Sequence, residues 1–294
     1  MVILDVLHWN KAGKRSNISP DRMDNLSLYQ TLQQASLFFL IAGPCVIEDP
    51  ATMMHSAQFL KELCSELKLP LVFKSSFRKA NRTAADSPSG PGIEEGLTIL
   101  ARIKSEFELP ILSDIHESSE ASMAAEVCDI LQIPAFLCRQ TELIKAAAAT
   151  GKIVNLKKGQ FMAPEDMLPA AQKAGANQQI LLTERGSSFG YHNLVVDFRS
   201  FAIMESLGYP VVYDVTHSLQ MPSSGKSTGG TPEYAPLMAR AAIATGKVKG
   251  LFVECHPEPT KALSDAATML PLKDLKRLLQ DCIEIAGTLQ EEKQ

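Results

Sequence analysis

The 294-residue sequence predicts an α/β fold, a closed (β/α)8 TIM barrel, on the basis of three observations. Short apolar runs alternate with segments of helical periodicity from residue 37 onward, and eight such runs fit into about 250 residues. These runs are almost continuously apolar, which is typical of parallel strands buried on both faces. No GxGxxG motif follows the first run, which disfavours the rival open, doubly wound sheet. We therefore expect a single barrel domain over 37–294, preceded by an N-terminal extension over 1–36.

The predicted elements follow a regular order along the chain. Eight strands are predicted from the runs LFFLIAG (37–43), PLVFKS (70–75), PILSDI (110–115), CDILQI (128–133), KIVNLK (152–157), QILLTE (179–184), VVYDV (211–215) and GLFVE (250–254). Helices are predicted after them at 51–67, 93–106, 119–127, 141–149, 164–174, 193–207, 234–245 and 272–286. Gly151, Gly208 and Gly246 end three of these helices, where a left-handed residue commonly forms the cap. We interpret residues 1–36, which include the weakly helical LSLYQTLQQ, as a peripheral extension.

Composition limits the classes of function. With 45% apolar and 21% charged residues, the chain has the make-up of an ordinary soluble globular protein. A net charge of −4 argues against nucleic acid or an anionic membrane as the main partner. The six cysteines show no CxxC pairs, and we find neither a secretory leader nor an apolar run of membrane length. We therefore expect a reducing, cytoplasmic location.

Polar residues lie where the predicted strands end, which is where the active sites of such barrels are found. Arginine binds phosphate or carboxylate oxygens through two parallel hydrogen bonds, and lysine supplies a mobile point charge. Convergent cations at this rim could therefore hold two anionic groups, as a bimolecular reaction of phosphorylated substrates requires. Some of them are expected instead to form structural ion pairs with Asp114, Glu184 or Glu142. The basic set consists of Lys74, Lys79, Arg82, Arg139, Lys157 and Arg185.

A second rim set combines Cys45, His217, Glu254 and Asp265. Strands one and eight are neighbours only in a closed barrel, so these residues would be contiguous there and dispersed in an open sheet. Mixed sulfur, nitrogen and oxygen donors suit a divalent ion such as Zn²⁺, Fe²⁺ or Mn²⁺. A buried thiol beside a polar cluster is the alternative, and His116, His192 and His256 are rival imidazoles.

The segment 219–234, LQMPSSGKSTGGTPEY, is long and rich in glycine and serine. Between strand seven and its helix, such a loop is a candidate lid that excludes water from the chemistry. A surface loop without that role is the alternative.

Eight motifs together resemble the 3-deoxy-D-manno-octulosonate 8-phosphate synthase family: LIAGPCVIE, FKSSFRKANRT, GPGIEEGL, QIPAFLCRQT, NLKKGQF, LTERGSSFGY, DVTHSLQ and LFVECHP. The resemblance runs from about Phe38 to Leu272, nearly the whole barrel. It implies that phosphoenolpyruvate condenses with D-arabinose 5-phosphate and water, releasing phosphate, to supply the sugar acid of bacterial lipopolysaccharide. It also implies a homotetramer.

The resemblance assigns roles to individual residues. Asn81, Arg82 and Thr83 match positions that receive the pentose phosphate. Cys45 matches a ligand of the metal-dependent branch, whereas the metal-independent branch has asparagine there; His217, Glu254 and Asp265 match the other ligands. Phosphoenolpyruvate is expected to contact Lys74, Ser76, Lys79, Ala135, Lys157 and Arg185, with Asp114 and Arg139 as further substrate-binding candidates.

The predicted catalytic residues are Lys79, His217 and Asp265. Lys79 or His217 is expected to protonate the new alkoxide, because desolvation can bring either pKa near neutrality. The segment SDAATMLPL around Asp265 departs from the DGP found in many family members, so the loop that carries the fourth ligand could lie differently.

Two alternatives remain open. The first is the related synthase that uses erythrose 4-phosphate, in which the loop after strand two typically reads KPRT; here it reads KANRT. The second is a barrel that binds phosphorylated metabolites without catalysis, which would need the cations but not the metal ligands.

Overall fold

The computed structural model describes residues 25–80, 88–175, 179–188, 193–221 and 229–291. Its main sheet is a closed barrel of parallel strands that pair in chain order. Closure is made by the first and last strands, where Phe39 lies opposite Gly250 and Gly43 opposite Glu254. This confirms the predicted barrel. The strands are β1 (Phe39–Gly43), β2 (Leu71–Lys74), β3 (Ile111–Asp114), β4 (Ile130–Ile133), β5 (Ile153–Lys157), β6 (Ile180–Glu184), β7 (Val211–Asp214) and β8 (Gly250–His256).

Helices surround the barrel and end as their sequences predict. Gly151, Gly208 and Gly246 have φ angles of +72°, +90° and +65°, which confirms the expected left-handed caps. Asp49 caps one helix by accepting the N–H of Thr52 at 3.0 Å. The described helices are α1 (Asn25–Gln33), α2 (Pro50–Leu67), α3 (Ile93–Phe107), α4 (Glu120–Ala125), α5 (Thr141–Ala149), α6 (Met167–Gln172), α7 (Arg199–Ser206), α8 (Ala235–Ala244) and α9 (Leu272–Glu291).

The predicted start of one helix at residue 193 is wrong. Leu194–Val195 forms a short strand, antiparallel to Ser187–Ser188, and α7 begins only at Arg199. Asp197 accepts the backbone N–H of Arg199 at 3.0 Å, which satisfies a donor at this helix start. The β-branched valines at 195 and 196 favour extended backbone, which explains why the helical pattern does not extend back to 193.

The amino end of the barrel is closed by α1. Alternate side chains of a strand point into the barrel, and those at the amino ends are apolar, such as Phe39, Val72 and Ile153. Leu28 and Leu32 of α1 are buried in the same cluster. The segment 25–33, which we interpreted as part of a peripheral extension, therefore seals the barrel floor. Residues 1–24 lie outside the described part of the chain, and the domain boundary at 36 stays a prediction.

A larger apolar cluster lies between the outward faces of the strands and the surrounding helices. It includes Leu40 and Val253 from the barrel wall and Leu60, Leu100 and Leu275 from the helices. Burial on both faces explains why the strand sequences are almost continuously apolar. None of the described helices combines the length and the apolar character that a membrane span requires.

Candidate active site at the carboxyl end of the barrel

Side chains two positions apart along a strand both point into the barrel, and these inward positions change from apolar at the amino end to charged at the carboxyl end. We call these two ends the floor and the mouth of the barrel. Two positions after the apolar Val72 of β2 comes Lys74, and two after Leu112 of β3 comes Asp114. The same step leads from Val212 to Asp214 and from Phe252 to Glu254, and all four charged side chains are buried. Because parallel strands all run the same way, their polar ends meet at one opening.

Three of the four predicted metal ligands gather at this mouth. Cys45, Glu254 and Asp265 each offer a ligand atom within 4.8 Å of the others. The fourth, His217, places Nε2 3.5 Å from Glu254 Oε2 and 3.6 Å from Asp265 Oδ2. The loop after β8 therefore carries Asp265 into the cluster despite its departure from the DGP pattern.

His217 is oriented by an aspartate that the sequence interpretation omitted. Asp214 lies 2.8 Å from His217 Nδ1 and accepts the backbone N–H of His217 at 2.9 Å. If Nδ1–H donates to Asp214, the lone pair of Nε2 points toward the oxygens of Glu254 and Asp265. Carboxylates behind a metal-binding histidine commonly set the ring in this way. Asp214 ends β7, and the strand-end rule alone was a signal that could have found it.

The cluster is chemically suited to a cation. Glu254 Oε2 is buried and accepts no hydrogen bond from the described residues. An imidazole lone pair and two carboxylate oxygens repel one another unless a proton or a metal lies among them. Burial, together with the charges of Asp265 and Glu254, raises the pKa of the Cys45 thiol well above its ordinary value. A bound metal would reverse this, because it binds the thiolate and displaces the proton.

The basic side chains at the mouth are mostly paired with carboxylates. Lys74 contacts Glu254, and both side chains are only 1% exposed. Lys157 lies 2.6 Å from Asp214 and 4.1 Å above the ring centre of Phe252. The expected structural ion pairs therefore exist at the mouth itself, although these two carboxylates were not the ones named for them.

One expected pairing is confirmed, that of Lys79 with Asp114, whereas Glu184 pairs with Lys158, which lies outside the predicted basic set. Lys79 Nζ lies 3.6 Å from Asp114 Oδ2, and Lys158 lies 3.3 Å from Glu184. Glu142, the third carboxylate named for these pairs, contacts Lys145 on the exposed face of its own helix and contacts none of the described cations of the basic set.

The pKa shifts of two lysines run in opposite directions. Burial disfavours the charge of Lys79, but the negative charges of the Cys45 thiolate, Asp114 and the other carboxylates of the cluster outweigh it and raise the pKa of Lys79 well above its ordinary value. The expectation that desolvation brings Lys79 near neutrality is therefore wrong. Burial lowers the pKa of Lys157, with Asp214 opposing the shift. Lys79 is thus a permanent cation in the ligand-free protein, and Lys157 is the lysine whose pKa moves toward neutrality.

Arg185 differs from the lysines because it forms no ion pair with any described carboxylate. Its Nη2 donates to Gln220 Oε1 at 2.6 Å, whereas Nη1 is buried without a hydrogen-bond partner among the described residues. A buried guanidinium with a free donor is a ready site for a phosphate oxygen. Gln220 belongs to the predicted lid, 219–234, whose residues 222–228 lie outside the described part, and the role of a lid stays a prediction.

A chain of hydrogen bonds crosses the barrel interior and ends on Asp114. Thr183 donates to Asn155 at 2.6 Å, Asn155 donates to Gln132 at 2.8 Å, and Gln132 donates to Asp114. Ser76 donates to the other oxygen of Asp114. Burial opposes ionisation of Asp114, but Lys79 and Lys74 hold its pKa well below the usual range. Buried polar groups need such partners, and the chain fixes the carboxylate that faces Lys79.

The remaining predicted residues are distributed as follows. Ala135 is buried in a short 3-10 turn directly after β4. Arg139 is exposed, and no described contact joins its guanidinium to the other cations, so its place in the substrate site stays a prediction. Asn81, Arg82 and Thr83 lie outside the described residues.

The rival histidines have other partners. His116 packs edge-on against Phe77, and its Nδ1 lies 3.7 Å from Glu120. His256 bonds to Glu48 at 3.2 Å. His192 lies outside the described part of the chain. Neither described rival enters the cluster of Cys45, and the predicted choice of imidazole is therefore supported by the geometry.

Comparison with known proteins gives one consistent result. The DAHP synthetase I family matches residues 33–291. A 2-dehydro-3-deoxyphosphooctonate aldolase from Dichelobacter nodosus is 55% identical over 246 residues, 83% of this chain and 88% of the relative. The enzyme of the same name from a Cyanothece species is 53% identical over 255 residues, 86% of this chain and 93% of the relative. These matches confirm the predicted family resemblance, and the chain belongs to the DAHP synthetase I family.

Proposed function

We propose that the protein condenses phosphoenolpyruvate with D-arabinose 5-phosphate and water, giving 3-deoxy-D-manno-octulosonate 8-phosphate and phosphate. The C3 carbon of phosphoenolpyruvate forms a bond to the aldehyde carbon of the pentose, water adds at C2, and phosphate leaves from C2. The relatives named 2-dehydro-3-deoxyphosphooctonate aldolase support this reaction over the erythrose 4-phosphate alternative. The structural observation that carries it is the buried, unpaired Nη1 of Arg185, which has no partner among the described residues, beside a mouth of lysines.

In this proposal, phosphoenolpyruvate is bound by cations at the mouth that keep N–H donors available for a ligand. Its phosphate would contact Arg185 and Lys157, which approach the mouth from β6 and β5. Its carboxylate would lie near Lys79, whose raised pKa keeps the ammonium charged. The pentose phosphate is assigned to Asn81, Arg82 and Thr83 by the family resemblance alone.

Lys79 acts in this proposal as a fixed positive charge. The aldehyde oxygen gains negative charge as the carbon–carbon bond forms, and a preorganised cation stabilises that charge without reorganising. A lysine with a raised pKa holds its proton too tightly to be an efficient acid near neutral pH. Proton delivery to the alkoxide therefore falls to another group at the mouth. His217, the other residue predicted for this step, would bind the metal in this proposal, and Lys157 is the candidate because burial shifts its pKa downward, the direction that proton transfer favours.

A divalent metal is part of the proposal, held by Cys45, His217, Glu254 and Asp265. Bound there, it would supply Lewis-acid polarisation or a more acidic water. The orphaned Glu254 Oε2 and the mixed donor set support it. Zn²⁺, Fe²⁺ and Mn²⁺ all accept such ligands.

The test is phosphate release from phosphoenolpyruvate by the purified full chain, with arabinose 5-phosphate and erythrose 4-phosphate in parallel. We expect release with the pentose and little with the tetrose when divalent metal is supplied. Release with the tetrose alone would show that erythrose 4-phosphate is the acceptor and would leave the description of the fold unchanged. A chelator-treated sample tests the metal separately. Full activity in verified metal-free protein would show that the metal is not required, and the proposed reaction would still stand.

We further propose a homotetramer in the cytoplasm that serves lipopolysaccharide synthesis. The family resemblance carries this proposal, and for the assembly alone the structure adds two large apolar side chains on the surface, Phe136 at 59% and Phe161 at 58% exposure. Their segments touch through Cys138 Sγ and Met162 Sδ at 3.1 Å, so the two rings lie on neighbouring loops. Aromatic residues are enriched at protein–protein interfaces, so this pair is a candidate contact between subunits. Light scattering after size-exclusion chromatography measures the assembly directly, and a monomeric mass would contradict the tetramer.

A further inference from the structure

One side chain outside the proposed ligand set ties together the segments that carry three of the four ligands. Glu48 lies three residues after Cys45. Its Oε1 accepts the backbone N–H of Leu263 at 3.0 Å, two residues before Asp265. Its Oε2 lies 3.2 Å from Nε2 of His256, two residues after Glu254. A single carboxylate therefore connects the loop after β1, the end of β8 and the loop after β8.

The hydrogen bonds of Glu48 are directional. The backbone N–H of Glu258 donates to His256 Nδ1 at 2.9 Å, so Nδ1 carries a lone pair. The ring proton is then on Nε2, which donates to Glu48. Both oxygens of Glu48 thus accept from groups at the end of β8 and in the loop that follows it. The two side chains are largely buried, Glu48 at 9% and His256 at 5% exposure, so water competes little for these bonds.

Glu48 shares the loop with a few other contacts. The Cys45 thiol donates to Ser264 Oγ at 3.3 Å and to Asp265 Oδ2 at 3.2 Å. The backbone N–H groups of Thr268 and Met269 donate to the Asp265 carbonyl. Asp265 has a φ of +50°, a left-handed conformation that non-glycine residues adopt infrequently. Leu263 is 45% exposed and adds little apolar anchoring. Such a backbone conformation persists only when its surroundings impose it. The bond from Leu263 N to Glu48 is one such constraint, two residues from the ligand.

We propose that Glu48, with His256, is a positioning residue of the metal site, which holds Asp265 within reach of Cys45 and Glu254. This inference rests on the metal site of the proposed function and goes beyond it, because Glu48 itself touches no metal in this role. Residues behind the ligands commonly change metal affinity by about 10- to 100-fold when replaced.

The test compares Glu48→Ala, Glu48→Gln and the control Glu258→Gln in the full chain. The glutamine side chain can accept from Leu263 or from His256 but must offer an N–H group to the other, so this variant loses one bond; the alanine variant loses both. The Glu258 side chain lies in the same loop, 60% exposed and paired with Lys261 at 2.6 Å. Its replacement removes a charge from the loop and leaves the Glu48 bonds intact.

Metal affinity is measured by titrating chelator-treated protein with Co²⁺ against a competing chelator, with the thiolate-to-cobalt absorption band as the sign that Cys45 binds. We expect the dissociation constant to rise about tenfold for Glu48→Gln and about 100-fold for Glu48→Ala, with no change for Glu258→Gln. The thermal midpoint of each metal-free variant is measured in parallel, and the near-isosteric glutamine keeps the comparison valid if the alanine variant folds poorly.

Three results would overturn the inference. Wild-type affinity for Co²⁺ in both Glu48 variants would rule out the positioning role. A lower thermal midpoint with unchanged affinity would also rule it out, because that is what a merely structural role predicts. A wild-type protein that shows no thiolate band with Co²⁺ removes the metal site and the positioning role together. Phosphate release by the wild type then decides independently whether the proposed reaction survives.

Discussion

The two ends of the barrel are built from the same strands but are stabilised in different ways. At the amino end, Leu28 and Leu32 of α1 pack onto apolar side chains of the strands. At the carboxyl end, Lys74 and Glu254 form an ion pair in which each side chain is 1% exposed. Apolar packing is tolerant because its energy scales with the area buried, whereas a buried ion pair depends on both partners being present.

The two ends of the barrel should therefore respond differently to substitution. The described residues of the apolar floor cluster carry no charge that must be matched, so substitutions there act through lost packing. The mouth holds several buried charges, and removing one member of an ion pair there leaves its partner uncompensated. The following five experiments test this contrast, from the largest expected effect to the smallest.

Lys74→Met tests the buried pair at the mouth. Without Lys74, the buried carboxylate of Glu254 loses its closest cation, and we expect the free energy of unfolding of the metal-free protein to fall by about 3–5 kcal/mol. The double variant Lys74→Met/Glu254→Gln should be less destabilised than the single variant, because it leaves no lone charge. Urea unfolding measures both. A double variant as unstable as the single would show that packing, not charge, dominates here.

Arg185→Ala tests the mouth cation that has no carboxylate partner among the described residues. We expect kcat/KM for phosphoenolpyruvate to fall about 100- to 1000-fold, about 2.7–4 kcal/mol of transition-state stabilisation. Stability should change by less than about 1 kcal/mol, because no buried carboxylate is left unpaired. Arg185→Lys should recover only part of the activity, since lysine cannot form two parallel bonds to phosphate. Steady-state kinetics with unchanged activity would remove Arg185 from the substrate site.

Leu32→Ala tests the floor. Leu32 is 1% exposed against the apolar ends of the strands, and we expect a loss of about 2–3 kcal/mol in the free energy of unfolding. Because the mouth is built from the other end of each strand, kcat and KM should stay within about twofold of the wild type at a temperature where the variant is folded. A large fall in kcat without unfolding would contradict the separation of the two ends.

Asp114→Asn tests how acid acts on the mouth. The pKa of Asp114 is lower in the folded protein than its ordinary value of 3.8, so the folded state binds fewer protons in acid than the unfolded state. The stability from this group is present above about pH 4 and is lost as the pH falls from there toward the folded-state pKa. In the variant, the slope of unfolding free energy between about pH 4 and pH 3 should be shallower, by up to about 1.4 kcal/mol per pH unit. Urea unfolding at several pH values gives that slope, and an unchanged slope would contradict the shift.

Tyr29→Phe tests a side-chain hydrogen bond from α1 to the strands. The Tyr29 hydroxyl donates to the carbonyl of Ile180 at 3.1 Å. Its loss should cost about 0.5–1.5 kcal/mol and leave activity unchanged. A thermal midpoint equal to that of the wild type would show that this hydrogen bond does not help to hold α1 on the floor.

Local patterns were sufficient for the strands and most helices. The eight apolar runs match β1 to β8 in order, and the helix predicted at 141–149 coincides with α5, Thr141–Ala149. The start of α7 was missed because residues 194–195 pair with a neighbouring strand, a contact that periodicity within the segment does not contain. The floor position of α1 was missed for the same reason, since its partners lie on strands far away in the chain.

The sequence by itself determined which residue types stand at the strand ends, because a period of two carries alternate side chains from the floor to the mouth. Cys45 and Arg185 were identified because they follow the ends of predicted strands. Only the tertiary structure decided the pairing among them: that Asp214 orients His217, that the charge of Lys79 is reinforced, and that Glu48 reaches the loop of Asp265. The physical reason is that pKa values and hydrogen bonds depend on distances of a few ångströms between residues far apart in the chain, and closure of the barrel sets those distances.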